Sequence, residues 1–310
     1  MRKLFTVVAT IVVLGIILLG VGKWFIDRGA QQGSQVAEPQ PPAAEQPHQE
    51  QSQQSDSCPA VEVIAAPGTW ESRVGDDPIH PTANPRSYML SITQPLQERF
   101  PAEQVKVWTL PYPAQFRNIN AMNEMSYDDS RTEGTRLLEE ELANMSAQCP
   151  TTDYIITGFS QGAVIAGDIA NKIGTGTGVI PAERVRGIAL VADGRRENGV
   201  GQTVGNPVGG VGAELALQPV ELLVQPIVPG ASMRGPRPGG FGTISDRVFQ
   251  ICAAGDAVCD APAAISDAAS GAQSLVQGNA VHAQYATNPN VVPGSTASEW
   301  IVSWISDLVQ

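Results

Sequence analysis

The stretch YIITGFSQGAVIAGDIANKI, residues 154–173, decides the fold. Its first residues are β-branched or aromatic, as in a short buried strand, and AVIAGDIANKI at its end has the apolar spacing of a helix. Between them stands Gly158-Phe159-Ser160-Gln161-Gly162, a GxSxG pattern. Those five letters alone are weak, but strand, sharp turn and helix together form the context in which a serine becomes an exposed nucleophile. So tight a turn strains the serine backbone, and flanking glycines let strand and helix approach. Ser160 then sits at a helix N-terminus, where the dipole and free N–H groups favour developing negative charge. A glycine-flanked cap, with Ser160 merely capping, would carry the same letters.

Working outward, four more apolar, β-branched runs occur at 61–68, 105–112, 187–193 and 247–253. They alternate with helical patterns. One starts near Ser87; another runs from Ser130 to about Ala147, with Ser130 and Glu133 spaced as a capping box; one follows Gln161; the last begins near Thr296 with Glu299 three residues on. This alternation predicts an α/β domain with a mostly parallel five-stranded sheet flanked by helices on both faces. Residues 194–245 hold 12 of the 31 glycines and six prolines, plus the apolar patch LLVQPIV at 222–228. The stretch reads as structureless chain that either lines or covers a groove at the site, or packs on the sheet as a surface excursion.

A nucleophilic serine needs a base, and the chain has three histidines. His48 precedes the domain and His80 precedes the nucleophile. His282 follows it, as the order Ser, acid, His requires. Two acids compete to orient that imidazole. Asp193 ends the strand after the nucleophile helix, and Asp256 lies within Cys252-Ala253-Ala254-Gly255-Asp256-Ala257-Val258-Cys259. A disulfide closing so small a loop would fix the carboxylate, which favours Asp256.

Residues 4–22 contain no charge and are long enough to cross a bilayer as a helix, so 1–28 reads as an uncleaved signal anchor, with a cleaved signal peptide as the alternative. Residues 29–57 are rich in Gln, Pro, Glu and Ser and read as a disordered tether before a domain at 58–310. Of the net charge of −12, residues 1–30 carry +3 and 31–57 carry −4, which leaves −11 on the domain. So acidic a domain offers no basic stripe for nucleic acid. Four cysteines, Cys58, Cys149, Cys252 and Cys259, all beyond the targeting segment, read as two disulfides on the oxidising side of the membrane. None has the spacing of a structural zinc site.

The elbow GFSQG, the loop CAAGDAVC, the later histidine and a cysteine just before the first strand resemble the cutinase family of serine esterases. APGTWES, MSYDDSRTEGT, ADGRR, GPRPGGFG and HAQYAT are similar to its membrane-anchored lipid hydrolases from mycobacteria and corynebacteria. The resemblance covers nearly all of 58–310. It implies an α/β-hydrolase fold, Ser160, Asp256 and His282 as catalytic triad, and oxyanion donors at Thr69 and at the N–H of Gln161. It also implies the pairings Cys58 with Cys149 and Cys252 with Cys259. The implied substrate is a lipid acyl ester, of phospholipase A or thioesterase type, in the cell envelope, with no metal or organic cofactor. Where such esterases usually carry Arg-Gly-Ser, this chain has Pro67-Gly68-Thr69. An acetylxylan-type carbohydrate esterase, an acyltransferase and an anchored non-catalytic binding protein remain as alternatives.

Overall fold

The computed structural model describes residues 58–263 and 280–310, with Gln273, Leu275 and Val276 between them. The expected anchor and tether, 1–57, lie outside the described residues, among which no helix is long and apolar enough to cross a membrane. Six strands pair in parallel: β1 (Val61–Ala66), β2 (Val105–Thr109), β3 (Asp153–Phe159), β4 (Val185–Val191), β5 (Gln202–Val204) and β6 (Val248–Ile251). Their order is β2-β1-β3-β4-β6-β5. The central strands are buried on both faces, which is why each reads as a continuous apolar run.

Alternate residues serve opposite cores. Val61, Val63, Ile155, Ala189 and Val191 pack with Ile92 and Leu96 of α1 (Leu90–Arg99) and Ile301 and Ile305 of α6 (Ala297–Val309). Ile64, Ile156, Ile188 and Leu190 pack with Leu138 and Leu142 of α2 (Tyr127–Gln148) and Ile165 and Ile169 of α3 (Gln161–Gly174). The expected Thr296–Glu299 capping box is present at the start of α6.

Three expectations need correction. The sheet has six strands rather than five, because the short edge strand β5 pairs with β6 inside the glycine-rich region. Its polar Gln202 and Thr203 are exposed, so no apolar run marks it. Residues 194–245 are not structureless, since they also form α4 (Ala213–Ala216) and α5 (Glu221–Val224). Finally, α2 starts at Tyr127, with Ser126 as its cap accepting from the Asp129 N–H, rather than at Ser130. Two overlapping Ser-x-x-acid frames compete there. The upstream frame prevails because the extra turn lets Tyr127 pack edge-on against Phe116 and leaves Ser130 fully buried.

Chain crossovers reverse direction between β1 and β3, which pair directly through Ala66 and Gly158. In a doubly wound sheet such a reversal opens a crevice at the carboxyl ends of the strands, where ligands bind.

Candidate active site

Ser160 follows β3 at this crevice with φ +53° and ψ −118°, a backbone that costs a non-glycine residue of order 1–3 kcal/mol. Its N–H donates to Val191 O (2.9 Å), fixing the turn to β4. A Cβ at Gly158 would lie 2.4 Å from Gly162 O, and one at Gly162 would lie 2.0 Å from Ala66 O. Both glycines are therefore demanded by the approach of α3 to β3 and β1.

His282 lies in a 3₁₀ turn with its Nε2 3.0 Å from Ser160 Oγ. Its Nδ1 lies 2.9 Å from Asp256 Oδ2 and 3.1 Å from Oδ1. The imidazole stacks on Phe159, centroids 4.9 Å apart. Asp256 is fully buried and accepts from the Val258 N–H (2.9 Å) and the Tyr285 hydroxyl (2.7 Å). Tyr285 in turn accepts from the Ala253 N–H, so its ring ties the loop to the His282 turn. Disulfides join Cys252 to Cys259 around this loop, and Cys58 to Cys149 at the start of the domain.

The competing acid is elsewhere. Asp193 is buried with both oxygens on Arg237 (2.6 and 3.0 Å). It belongs to a charged network in which Asp168 of α3 meets Arg195, Arg234 and Arg237, and Glu214 meets Arg234. Burial pushes the Asp168 carboxyl up, but the three guanidinium groups outweigh it and hold it well below the usual range. The network fastens the 194–240 segment to α3, the helix that follows Ser160.

Thr69 lies in the turn after β1. Around it Tyr112 donates to Pro67 O (2.8 Å), the Gly68 N–H donates to Glu71 (3.0 Å) and the Trp70 N–H donates to Ala114 O (2.6 Å). Thr69 itself makes no hydrogen bond among the described residues and faces the cavity at Ser160. The Gln161 side chain is held by Ser130 Oγ (2.9 Å) and Gln115 O (3.1 Å), and its N–H opens α3 with no intrahelical partner. Thr69 and Gln161 thus both border the space in front of Ser160.

That space is a cavity of about 370 Å³. Ser160, His282, Glu71 and Ser87 line its polar part; Phe116, Tyr127, Val164, Ala213, Met233 and Leu275 line an apolar part. The segments at 213–214 and 231–233 reach it, but none of residues 222–228 does. Of that expected lining patch, Val224 and Val228 are buried in the cluster behind the wall, while Leu222 and Leu223 face outward. Among the described residues no three His, Cys, Asp or Glu side chains converge as metal ligands would.

Sequence reasoning missed three participants. Glu71 accepts from the Gly68 N–H, the Ser87 hydroxyl (3.1 Å) and the Tyr88 N–H (2.7 Å), binding the Thr69 turn to the entrance of α1. Burial pushes its carboxyl above the usual range, against those three hydrogen bonds. Tyr285, three residues past His282, and Ser130, assigned to a cap, are the others. The spacing of Tyr285 from the histidine was the one signal available.

Residues 57–302 match the family model described as Cutinase. The chain is 59% identical, over all of its length and 99% of the relative's, to a protein named Carboxylesterase Culp6 homolog from Corynebacterium glutamicum. Among solved structures, an acetylxylan esterase superposes with a TM-score of 0.50 at 14% identity, covering 82% of this chain and 100% of that one. The catalytic core of the Trichoderma reesei acetylxylan esterase gives 0.50 at 16% identity, covering 81% and 99%. At such identity the structural likeness speaks to fold alone, but the family match covers residues 57–302 and the bacterial relative the whole chain. This chain belongs to the cutinase family of carboxylic-ester hydrolases.

Proposed function

We propose that the protein hydrolyses lipid acyl esters, of the phospholipase A or thioesterase type, through Ser160, His282 and Asp256. The observation that carries the reading is the relay from Ser160 Oγ through His282 to the buried Asp256, opening on a cavity with an apolar wall. His282 Nε2 takes the Ser160 proton as Oγ attacks the ester carbonyl. The oxyanion forms beside the N–H of Gln161 and the N–H and hydroxyl of Thr69, where each donor is worth about 2.7–4 kcal/mol of barrier. His282 then protonates the leaving oxygen or sulfur, and water releases the acid from the acyl-enzyme by the same route. Asp256 stays ionised and holds the imidazole by Nδ1.

An acyl chain fits the wall of Phe116, Val164, Ala213 and Met233 better than a sugar does, because that wall offers little for hydroxyl groups to bond. The uncharged stretch 4–22 and the two disulfides support a membrane-anchored domain on the extracytoplasmic side.

Hydrolysis of p-nitrophenyl esters from acetyl to palmitoyl, and of a phospholipid, tests the reading beside Ser160→Ala. Activity rising towards long chains and lost in the variant is expected. An acetyl optimum would favour the carbohydrate-esterase alternative. A folded protein inert to all esters and to a fluorophosphonate would point to a binding role.

A further inference from the structure

Four of the chain's 19 lysines and arginines precede residue 58, which leaves fifteen in the described domain. The side chains of fourteen have partners, mostly carboxylates and otherwise hydroxyls or backbone carbonyls, as expected where acids outnumber bases. Arg86 is the exception. Its guanidinium makes no hydrogen bond or ion pair among the described residues, it is exposed, and it lines the cavity that holds Ser160.

The backbone beneath it is not loose. The Arg86 N–H donates to Asn84 Oδ1 (2.9 Å), the Asn84 amide donates to Trp70 O (3.2 Å), and Glu71 holds the next two residues. A fixed base thus presents an unengaged cation.

Its side of the cavity can be identified. Tyr88, two residues on, packs its ring 4.7 Å from Phe159, and Phe159 stacks on His282. The segment that carries Arg86 therefore joins the imidazole's wall through Tyr88, whereas Phe116, Tyr127, Ala213 and Met233 belong to a separate apolar cluster. His282 must deliver its proton to the leaving atom, so the leaving half of the substrate lies on the imidazole side and the acyl chain against the other wall. The domain's net −11 repels anions, and a lone cation at the mouth is the local attractor. A guanidinium suits phosphate, whose oxygens it can bridge with paired N–H groups.

We propose that Arg86 binds a phosphate carried by the leaving half of the substrate, so that esters of phosphorylated alcohols or thiols are cleaved in preference to neutral ones. The inference rests on the acyl-ester reading and narrows it. A glycerophospholipid headgroup and coenzyme A both supply this chemistry.

The test uses the full-length chain and two pairs with matched acyl groups: dihexanoylphosphatidylglycerol against dihexanoylglycerol, and hexanoyl-coenzyme A against hexanoyl-N-acetylcysteamine. The readout is the ratio of kcat/KM, phosphorylated over neutral, within each pair. Arg86→Ala should lower that ratio about three- to tenfold, chiefly through KM, and Arg86→Lys should keep most of it. The difference between wild type and Arg86→Ala should shrink in 0.5 M salt, as screening of an exposed charge requires. A fall confined to the lipid pair assigns the headgroup, and one confined to the thioester pair assigns the phosphorylated thiol. Unchanged ratios in both pairs, or Arg86→Lys no better than Arg86→Ala, overturn the proposal. A wild-type enzyme that cleaves acetyl esters alone overturns the lipid reading and this proposal with it, a result distinct from unchanged ratios on active enzyme.

Discussion

Two buried aspartates in one molecule show how a residue's partners decide its use. Asp256 and Asp193 are both fully buried, both follow a strand, and both have their oxygens occupied. Asp193 faces a permanent cation, Arg237, so its charge is already balanced. Asp256 faces neutral donors from Val258 and Tyr285, which leaves the charge of its carboxylate for the imidazolium that the proposed mechanism forms on His282. Asn substitutions should therefore fail in opposite ways. Asp256→Asn should keep its fold and lose about 10³- to 10⁴-fold in kcat, because the amide can present its N–H to Nδ1 and stabilise the wrong tautomer. Asp193→Asn should leave Arg237 buried and undercompensated, costing about 3–5 kcal/mol of stability with far less effect on the kcat of the folded fraction. Urea unfolding and steady-state kinetics on both variants check the pair. Loss of stability in the first and of turnover in the second would reverse the assignment. The short cysteine loop singles out in the sequence the aspartate that the structure sets beside His282, since a constrained loop can hold an orienting group still. The sequence carried no sign of Glu71 and, for Tyr285, only its spacing from His282, because the roles of both arise when segments 17 and 32 residues apart meet.

At the scale of elements, what could be read depended on repetition. β1 to β4 and β6 announce themselves because burial on both faces demands apolar residues at successive positions. β5, α4 and α5 are three or four residues long, too short to complete a period of either kind, and their places are set by pairing with β6, by the Glu214–Arg234 pair and by the packing of Val224 in an apolar cluster. Residues 222–228 look like a groove by composition, yet their neighbours in sequence build the cavity while they buttress or cover it from behind. Chain-length preference should accordingly answer to 231–233. Ala231→Leu adds volume to the wall and should move the optimum of a p-nitrophenyl ester series to shorter acyl chains. Met233→Ala removes volume and should hold or lengthen it. Both residues are almost fully buried, so stability losses of about 1–3 kcal/mol and 2–5 kcal/mol respectively are expected alongside. An unaltered profile in both would mean that the acyl chain lies elsewhere.

Across the whole molecule the parallel sheet gives the domain two chemically different ends. The groups of the candidate site gather at or beyond the carboxyl ends of β1, β3 and β6, whereas Glu62, the second residue of β1, sits near the opposite end in register with Lys106 and Tyr154. Glu62 is fully buried, pairs with Lys106 Nζ at 2.8 Å, and accepts no well-formed hydrogen bond on either oxygen; Lys106 is shared with Glu141 of α2. Burial pushes the Glu62 carboxyl up to about 8, against the attraction of Lys106. In the unfolded chain the same carboxyl titrates near 4.5. Between those two values the folded state holds a proton that the unfolded state releases, so this group's contribution is greatest below about pH 4.5 and is lost as pH rises through 8. Glu62→Gln mimics the protonated form and removes that slope. Unfolding free energies from urea titrations at pH 5, 6.5 and 8 should therefore fall for the wild type relative to Glu62→Gln, by a few kcal/mol over the range. Because Glu62 is remote from the cavity, the kcat/KM profile of the folded enzyme should keep its shape in the variant. Stability curves that run parallel would show that Lys106 holds Glu62 ionised throughout, and a displaced kcat/KM profile would show that the two ends of the sheet are coupled.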